Sequence, residues 1–349
     1  MHIQEMAKRL QITPRAIRFY EEKGLIAPQK AAVSGYRQFT EGDVWRLQTV
    51  ITLREVGMPL GEIKQLLHQL DEEKGSLKDY LELQRSYMYD RWVEMSNVIQ
   101  TTEAMIERVT QDSSLDPASL FELAEANKRL RQARKNWVDR WNFNQIAPVY
   151  DELVLREREG FHPHEGYDQV LAEVVAAIDP QPSETGLDAG TGTGNLARCF
   201  TEKGVAMCAF DQSPEMLKRC QQKNPQVETK LGTFFAFPYL ENRFDFVVSS
   251  YALHHLTDDQ KCLALGECKR VLKPTGKLAV ADFMFCDERH RQAHYDELRR
   301  SGNTEAICHI EDEFYADRSR LIAELQRLGF QTETRQLNTY VHLILARLG

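Results

Sequence analysis

The densest chemical signal in the chain is the run DAGTGTG at 188–194, in which three glycines alternate behind an acid. Glycines at the end of a strand let a ligand approach the backbone closely. The spacing differs from the G-x-G-x-x-G of phosphate-binding dinucleotide folds, because the sixth position from Gly190 is asparagine. An acid beside the loop disfavours a pyrophosphate and favours a cationic ligand. Asp211, after the next apolar stretch, is placed to accept hydrogen bonds from both hydroxyls of a ribose.

A second group of reactive side chains comes later in the chain. His254 and His255 follow one predicted strand, and Asp282 follows the next. They are the candidate catalytic residues, since an imidazole or carboxylate can remove a proton from a substrate that must lose one. The competing interpretation is that they only line the pocket. No metal site is predicted: the seven cysteines form no C-x-x-C pair and are interpreted as reduced thiols.

The elements that must position these residues alternate between strand and helix from residue 185 onward. Such alternation predicts a doubly wound, Rossmann-like parallel sheet with helices on both faces, its ligand site at the carboxyl ends of the strands. The predicted strands are 186–189, 205–210, 244–249, 277–281 and 341–346.

The second half of the chain resembles the class I S-adenosylmethionine-dependent methyltransferases, especially the small-molecule branch that includes the quinone-biosynthesis type. The matching segments are LDAGTGTG (187–194), AFDQSPEML (209–217), PYLENRFDFVVSSYALHHL (238–256) and RVLKPTGKL (270–278). The resemblance implies that S-adenosylmethionine is the cofactor and that a small molecule is the methyl acceptor. The cofactor-binding residues it implies are Tyr150, Asp188, Gly190, Gly192, Gly194, Asp211, Met216, Thr233, Phe234 and Ser249.

Two departures bear on that expectation. The family commonly has an acid at the position of Thr233, where it holds the adenine amino group, so an anionic acceptor is absent here. The segment 249–252 reads SSYA and not the Asp/Asn-Pro-Pro-Tyr/Phe of amino-group DNA methyltransferases, which argues against methylation of DNA. The polar and aromatic region 283–315 is expected to select the acceptor.

The first 70 residues have a different character. Thr13-Pro14 predicts the start of a short helix, which carries Arg15 and Arg18 on one face and ends at Gly24. Two short helices across a tight turn form a helix-turn-helix, and arginines on one face suit contact with DNA. The stretch 27–40 is expected to form a hairpin wing, followed by a helix from Glu41 to about residue 56.

This module resembles the DNA-binding domain of MerR-type transcription regulators. The matching segments are ITPRAIRFYEEKGLI (12–26), GYRQF (35–39) and LREVGMPLGEI (53–63). The resemblance implies contacts to double-stranded operator DNA, mostly at phosphates, by Arg15, Arg18, Tyr20, Tyr36 and Arg37. Phe19 is expected to lie in the core.

Residues 77–109 keep a 4-3 rhythm, with the seam at positions 77, 81, 84, 88, 91, 95, 98, 102, 105 and 109. That rhythm predicts a long helix in a coiled coil, and the resemblance implies an antiparallel homodimer. The alternative is a helix packed on its own chain. Metal-sensing relatives place cysteines in and after this helix, whereas the first cysteine here is Cys199, so thiolate metal sensing is not expected.

The length of the chain and its charge distribution agree with a division into distinct domains. A chain of 349 residues suggests about two domains, and we expect a winged helix-turn-helix at 1–70, a dimerisation helix at 71–112 and a methyltransferase domain at 113–349. The net charge of −8 hides a split, because 1–70 carries +3 and the remainder −11. The chain lacks an apolar run long enough to span a membrane and the apolar core of a signal peptide, so a cytoplasmic protein is expected.

Three functions are consistent with these features. The first is a DNA-binding regulator whose C-terminal domain methylates a small molecule. The second is a regulator whose methyltransferase fold binds S-adenosylmethionine or a metabolite without turnover and thereby controls DNA binding. The third is an enzyme that uses the N-terminal module mainly to dimerise, although the retained arginines argue against it.

Overall fold

The computed structural model describes residues 1–30, 35–72, 76–111, 121, 125, 128–129, 131–134, 136–155 and 161–349. Part of the expected wing, the polar linker from 112 to 116 and the helix start expected at 116–117 lie outside the described residues. The chain divides into two compact units, Met1–Trp92 and Val93–Gly349.

The first unit is helical, with one small hairpin. Its helices are α1 (Ile3–Arg9), α2 (Pro14–Glu22), α3 (Glu41–Glu55), α4 (Leu60–Glu72) and the start of α5 (Leu77–Gln111), and its strands are β1 (Gln29–Lys30) and β2 (Arg37–Gln38). The Thr13 hydroxyl accepts the Ala16 amide at 3.1 Å and caps α2, as the sequence predicts. Strands β1 and β2 pair antiparallel, which confirms the predicted hairpin.

Helix α5 is longer than predicted by two residues and differs in the face it leaves exposed. Gln84, predicted for the seam, is buried and donates to the Thr49 hydroxyl at 2.7 Å. The exposed apolar side chains of the helix are Leu77, Leu81, Met88, Trp92, Met95, Ile99, Ile106 and Val109. The exposed stripe therefore runs through positions 92, 99 and 106, where the predicted seam has 91, 98 and 105. The sequence did not distinguish these two sets of positions, because apolar residues lie on both sides of the predicted seam. A shift of one residue turns the exposed face by about 100° around the helix.

The second unit is built on a seven-strand path in a mixed sheet. The strands are β3 (Thr185–Ala189), β4 (Ala206–Asp211), β5 (Glu228–Leu231), β6 (Phe244–Ser250), β7 (Leu272–Phe285), β8 (Ala316–Asp317), β9 (Phe330–Gln336) and β10 (Val341–Leu348). Their order is β5-β4-β3-β6-β7-β10-β9, with β8 paired to the end of β7. The pairs from β5 to β7 are parallel, and β10 runs antiparallel to both of its neighbours.

The Rossmann-like fold is thus confirmed, but the fully parallel sheet is not. Strand β9 carries FQTETRQ, in which only Phe330 is buried, so it lacks the apolar run that marks a central strand. A short turn joins β9 to β10, and strands joined by a short turn must pair antiparallel.

Helices cover both faces of the sheet. They are α6 (Phe143–Ile146), α7 (Tyr150–Leu155), α8 (Tyr167–Ile178), α9 (Asn195–Thr201), α10 (Pro214–Lys223), α11 (Asp258–Val271), α12 (Glu288–Ser301), α13 (Thr304–Asp312) and α14 (Arg318–Arg327). The two faces bury separate apolar clusters, one beneath α8 and α9 and the other beneath α11 and α14. Parallel strands β3, β4, β6 and β7 end at one edge, which brings the residues after them together. No helix in the described ranges has the length and apolar character needed to cross a membrane.

Candidate functional site

The glycine loop after β3 has a backbone conformation that glycine adopts more readily than other residues. Gly190, Gly192 and Gly194 have φ values of 70°, 54° and 85°, all in the left-handed region that side chains disfavour. A Cβ on Gly194 would lie 2.5 Å from the Cys220 sulfur, whereas a Cβ on Gly192 would meet nothing closer than 4.0 Å. Gly194 is therefore required by packing against α10, and Gly192 borders open space.

Two buried carboxylates hold this loop. One oxygen of Asp188 accepts the Thr191 hydroxyl at 2.7 Å and the Ala197 amide at 3.1 Å. Asp211 accepts the Gly192 amide at 2.9 Å and the Ser213 amide at 2.9 Å. The loop conformation is thus fixed by two acids, Asp188 at Thr191 and Asp211 at Gly192.

Burial makes both carboxylates unusually weak acids. It raises the pKa of Asp188 to about 7 and that of Asp211 to about 6, and the backbone hydrogen bonds offset only part of this effect. Among the described residues, no cationic side chain forms an ion pair with either acid. A cation placed beside them would gain the electrostatic partner that the folded chain does not itself provide.

The loop forms one wall of a cavity that lies over the carboxyl ends of β3, β4 and β6. We call it the cofactor cavity. Its lining residues are Trp137, Phe143, Tyr150, Gly190, Gly192, Phe210, Asp211, Gln212, Met216, Gly232, Thr233, Phe234, Phe235, Tyr251, Ala252, His255 and Leu256. Seven of the ten residues expected to bind the cofactor line it. The other three do not: Asp188 lies beneath the loop, Gly194 packs on α10, and the Ser249 hydroxyl donates to the Ala189 carbonyl at 2.8 Å.

Helix α7 is tied to the glycine loop by a polar network. Asp151 pairs with Lys223 at 2.6 Å and accepts the Thr193 hydroxyl at 2.5 Å. Its neighbour Tyr150 thereby comes to line the cofactor cavity. Sequence reasoning placed Tyr150 here but did not identify the residues that hold it.

Tyr251 is a cavity residue that sequence reasoning missed. It follows β6 with φ of 50°, a strained conformation for an aromatic residue. Its ring stacks on Tyr167 with centroids 5.2 Å apart, and its buried hydroxyl has no hydrogen-bond partner. Burial raises its pKa, so the group stays a protonated donor. An orphaned buried donor at a cavity wall suits a ligand that supplies an acceptor.

The three predicted catalytic residues lie together, in the turn after β6 and near the end of β7. Asp282 accepts the amides of Ala252 and Leu253 at 2.9 and 2.7 Å and bonds His254 Nδ1 at 2.6 Å. Both Asp282 and His254 are buried and neither lines the cavity, so only His255 does.

Glu313 completes this cluster and was missed by the sequence reasoning, which expected the region 283–315 only to select the acceptor. It lies 3.0 Å from His255 Nδ1 and 3.8 Å from His254 Nε2. No short-range pattern could reveal it, since 58 residues separate it from His255.

The charges of the cluster are set by these contacts. Burial lowers the pKa of His254, but the carboxylates of Asp282 and Glu313 outweigh it and leave that pKa raised. Burial, with the adjacent charge of His254, lowers the pKa of His255 to about 4. At neutral pH, His255 is therefore a neutral imidazole beside an ionised Glu313, whose pKa is lowered by the two histidines in spite of burial.

In the first unit, the expected DNA-contacting residues lie on or next to α2 and the hairpin. Arg15 and Arg18 are exposed, and Tyr36 is 70% exposed at the wing. Arg37 bonds the carboxylate of Glu21 at 2.6 Å, which links the wing to α2. Tyr20 is partly buried against the core of this unit.

Phe19 is 41% exposed, so its expected place in the core is wrong. Ile17 is the buried residue of α2, and a position two residues away lies about 200° around the helix.

Comparison with known proteins gives two separate matches. A family model described as a methyltransferase domain matches residues 187–280, and one described as a MerR HTH family regulatory protein matches residues 1–70. An uncharacterized methyltransferase of Oceanobacillus iheyensis is 31% identical over 206 residues, which are 59% of this chain and 95% of that protein. The uncharacterized methyltransferase YrrT of Halobacillus halophilus is 31% identical over 208 residues, which are 59% of this chain and 96% of that protein.

Among solved structures, magnesium protoporphyrin IX methyltransferase from Synechocystis with bound SAH is 17% identical to this chain. Its TM-score is 0.46, over 59% of this chain and 96% of that chain.

The sheet order, the glycine loop and the carboxylate at the end of β4 define a class I methyltransferase domain that uses S-adenosylmethionine. The chain belongs to this family of methyltransferases, and residues 1–70 form a MerR-type helix-turn-helix domain. S-adenosylmethionine, a sulfonium and ammonium cation that carries a ribose, fits the unpaired buried acids, the open side of Gly192 and the orphaned Tyr251 hydroxyl.

Proposed function

We propose that this protein is a DNA-binding regulator whose C-terminal domain transfers a methyl group from S-adenosylmethionine to a small-molecule acceptor. The observation that carries the proposal is the position of Asp211, which is buried, unpaired with a cation in the described ranges, and exposed to the cofactor cavity. A small-molecule acceptor is supported by the segment SSYA at 249–252, which differs from the Asp/Asn-Pro-Pro-Tyr/Phe of amino-group DNA methyltransferases.

In this proposal the residues predicted to bind the cofactor divide into those that contact it and those that support the loop. Asp211 accepts hydrogen bonds from the ribose hydroxyls, while Met216, Thr233 and Phe234 surround the adenine, and Tyr150 covers the ligand. Thr233 offers a hydroxyl where an acid is common, so we expect the adenine amino group to be held by a neutral acceptor. Asp188, Gly194 and Ser249 support the loop from behind, because their own contacts are satisfied within the protein.

S-adenosylmethionine supplies an electrophilic methyl group on a sulfonium. The chain contributes alignment and exclusion of water, which account for much of the rate of such displacements. The unpartnered Tyr251 hydroxyl is available to donate a hydrogen bond to a ligand in the cavity. His255 is the only one of the three predicted catalytic residues that lines this cavity. His254 and Asp282 are positioning residues, since they fix the turn that carries His255.

The N-terminal unit is proposed to bind operator DNA through Arg15, Arg18, Tyr36 and Arg37, with Tyr20 supporting α2. We further propose that a homodimer forms through α5, whose exposed apolar stripe a second copy would cover. The domain limits 1–70, 71–112 and 113–349 are retained as part of this proposal.

The direct test is calorimetric titration of S-adenosylmethionine into the full chain and into an Asp211→Asn variant. Asparagine keeps the size of the side chain but removes the charge and one hydrogen-bond acceptor. We expect the affinity to fall by about 10-fold or more, as for a lost hydrogen bond to a charged group. Asp287→Asn, a change at an exposed acid outside the cavity, is the matched control. Equal affinity of Asp211→Asn and the wild type would refute the assignment.

A further inference from the structure

A second cavity opens beside the cofactor cavity, on the side away from the glycine loop. Its volume is about 540 Å³, and we call it the aromatic cavity. The residues that line it include Arg129, Trp137, Arg140, Trp141, His255 and Phe314. Two side chains, Trp137 and His255, line both cavities, so they stand at the boundary between them.

The walls of the aromatic cavity combine flat rings with positive charge. Trp137, Trp141 and Phe314 supply the rings. Two guanidinium groups, those of Arg129 and Arg140, face a single carboxylate, that of Asp259, and neither forms an ion pair among the described residues. Arg140 lies over the Phe314 ring at 6.0 Å. Flat walls with a net positive charge suit a planar ligand that carries negative charge.

Local hydrogen bonds build this cavity. The Asp139 carboxylate accepts the amides of Trp141, Asn142 and Phe143 at 2.8 to 3.1 Å and thereby fixes the aromatic segment. Gln260 donates to the Ala133 carbonyl at 2.9 Å, which anchors the preceding segment to α11.

Behind the cavity lining, buried Lys261 of α11 donates to the carbonyls of Leu256 and Phe314. It thus joins the turn that carries His255 to the segment that carries Glu313.

His255 is held with one ring nitrogen free. Its Nδ1 lies 3.0 Å from Glu313, and because that carboxylate is ionised, Nδ1 carries the proton and donates it. Nε2 then keeps its lone pair, and no hydrogen-bond partner for it is present in the described part of the chain. The ring is clamped between Trp141 and Phe143, with centroids at 4.3 and 4.9 Å.

We propose that the aromatic cavity is the acceptor site, that it takes a planar aromatic molecule bearing a hydroxyl nucleophile and an anionic substituent, and that His255 is the general base. The inference rests on the proposed function, since it names the acceptor class for the same reaction. Glu313 is a positioning residue that acts through His255 by fixing which nitrogen carries the proton.

The step balances as follows in atoms and charge. The acceptor oxygen forms a bond to the methyl carbon while the carbon–sulfur bond breaks. The electron pair of the broken bond stays on sulfur and converts the sulfonium to a neutral thioether. The hydroxyl proton passes to His255 Nε2 and from there to solvent. The products are the methyl ether of the acceptor and S-adenosylhomocysteine, and no oxidant or metal is consumed.

The first test is binding of three matched probes to the full chain saturated with S-adenosylhomocysteine: 2-naphthoate, naphthalene and 2-naphthylmethylammonium. Trp137 and Trp141 report occupancy by fluorescence quenching. We expect 2-naphthoate to bind most tightly, and the Arg129→Gln/Arg140→Gln variant to lose about fivefold of its affinity, as for exposed ion pairs. Arg131→Gln, which alters an arginine outside the cavity, is the matched control. Equal binding of the cationic probe, or no loss in the double variant, would overturn the site.

The second test is release of S-adenosylhomocysteine with 3-hydroxy-2-naphthoate as acceptor, which adds a hydroxyl to the anionic probe. His255→Gln is expected to lower the rate by about 100-fold or more, within the range for general-base catalysis. His290→Gln, at an exposed histidine, is the control. Binding of 3-hydroxy-2-naphthoate without turnover by the wild type would overturn the base assignment, and so would inactivation by a chelator, because His254, His255 and Glu313 could alternatively hold a metal ion.

The positioning role of Glu313 is tested by the kinetics of variants in this cluster. The charged groups that face His255 are His254, Glu313 and Asp282. Glu313→Gln should reduce kcat with little change in KM, because the carboxylate that orients His255 is lost. Glu313→Asp, which keeps a carboxylate, should retain more of the rate, and a purely structural role would raise KM as much as it lowers kcat.

Failure of this inference can be told apart from failure of the proposed function. If S-adenosylmethionine binds with its Asp211 dependence but none of the anionic probes binds, the acceptor site is wrong and the cofactor site stands. If S-adenosylmethionine itself does not bind, the proposed function fails first.

Discussion

Asp188, the buried acid that holds the glycine loop, makes the free energy of unfolding depend on pH. Its pKa of about 7 lies far above the ordinary value of 3.8 because burial disfavours the charged form. The folded chain therefore binds a proton more tightly than the unfolded chain between these two values. It follows that the free energy of unfolding falls as the pH rises from about 4 to about 7, and the full penalty persists above that range.

Asp188→Asn tests this coupling. The oxygen that accepts from Thr191 and Ala197 can be kept by an asparagine, whose amide takes the place of the other oxygen. We expect the variant to be more stable than the wild type at pH 8, by up to a few kcal/mol, and to lose this advantage near pH 4. Urea unfolding at both pH values measures it. An unchanged pH dependence would contradict the expectation.

Gly192 is the residue at which a side chain would enter the cofactor cavity. Its φ of 54° strains any other residue, and its Cβ direction is open to the cavity. We expect Gly192→Val to reduce S-adenosylmethionine affinity by at least about 10-fold through steric overlap and strain. Calorimetry measures the affinity, and Gly302→Val, at a surface glycine of similar φ, controls for strain alone. Comparable loss in both variants would show that strain, not access, is responsible.

At the scale of elements, α5 carries the largest exposed apolar stripe in the described ranges. A stripe whose members are mostly three or four residues apart is the pattern of a two-stranded coiled coil. Met95 and Ile99 stand at its centre. A charge at these positions would be costly to bury in an interface and harmless on a free helix.

We therefore expect a Met95→Glu/Ile99→Glu variant to be monomeric where the wild type is dimeric, by light scattering after size exclusion. Gln100→Glu, on an exposed polar position of the same helix, should leave the mass unchanged. A wild type that is monomeric at micromolar concentration would exclude the proposed dimer.

The sheet edge is the second element-scale feature. The carboxyl ends of β3, β4, β6 and β7 carry Asp188, Asp211, Tyr251 and Asp282, which are distant in sequence. Their assembly follows from parallel pairing, since every parallel strand delivers its last residue to the same edge.

At the scale of the whole molecule, DNA binding and S-adenosylmethionine binding are expected to be separable by mutation. Arg15 and Arg18 are exposed on α2, and each phosphate contact contributes to the salt dependence of DNA binding. With a 30-bp duplex, we expect Arg18→Ala to weaken binding and to lower the slope of log affinity against log salt by about 1. S-adenosylmethionine affinity should not change. Arg9→Ala, which removes an arginine paired with Glu41, is the control.

The overall charge of −8 would argue against DNA binding if it were evenly spread. The division into a +3 segment of 70 residues and a −11 remainder places the positive charge where the arginines of α2 lie. Loss of DNA binding in Arg9→Ala to the same degree as in Arg18→Ala would point to a general charge effect and not to contacts by α2.

The sequence alone determined the two domain types and the glycine loop. These depend on local information: a hydroxyl before Pro14, a positive φ at glycines, and apolar runs that end in an acid. The exact positions along α5, the antiparallel β10 and the exposure of Phe19 needed the structure, because each depends on which neighbouring element covers a face.

The residues that contact His255 could not be predicted from the sequence either, because they come from distant elements that only the fold brings together. Glu313 is 58 residues away, and Trp137 precedes the sheet by nearly 50 residues, so no spacing rule connects them. Tertiary structure alone decided that only one of two adjacent histidines reaches the cavity. His254 turns inward because Asp282, at the end of a neighbouring strand, provides a buried charged partner, and His255, with its Nδ1 bonded to Glu313, is left at the boundary of both cavities.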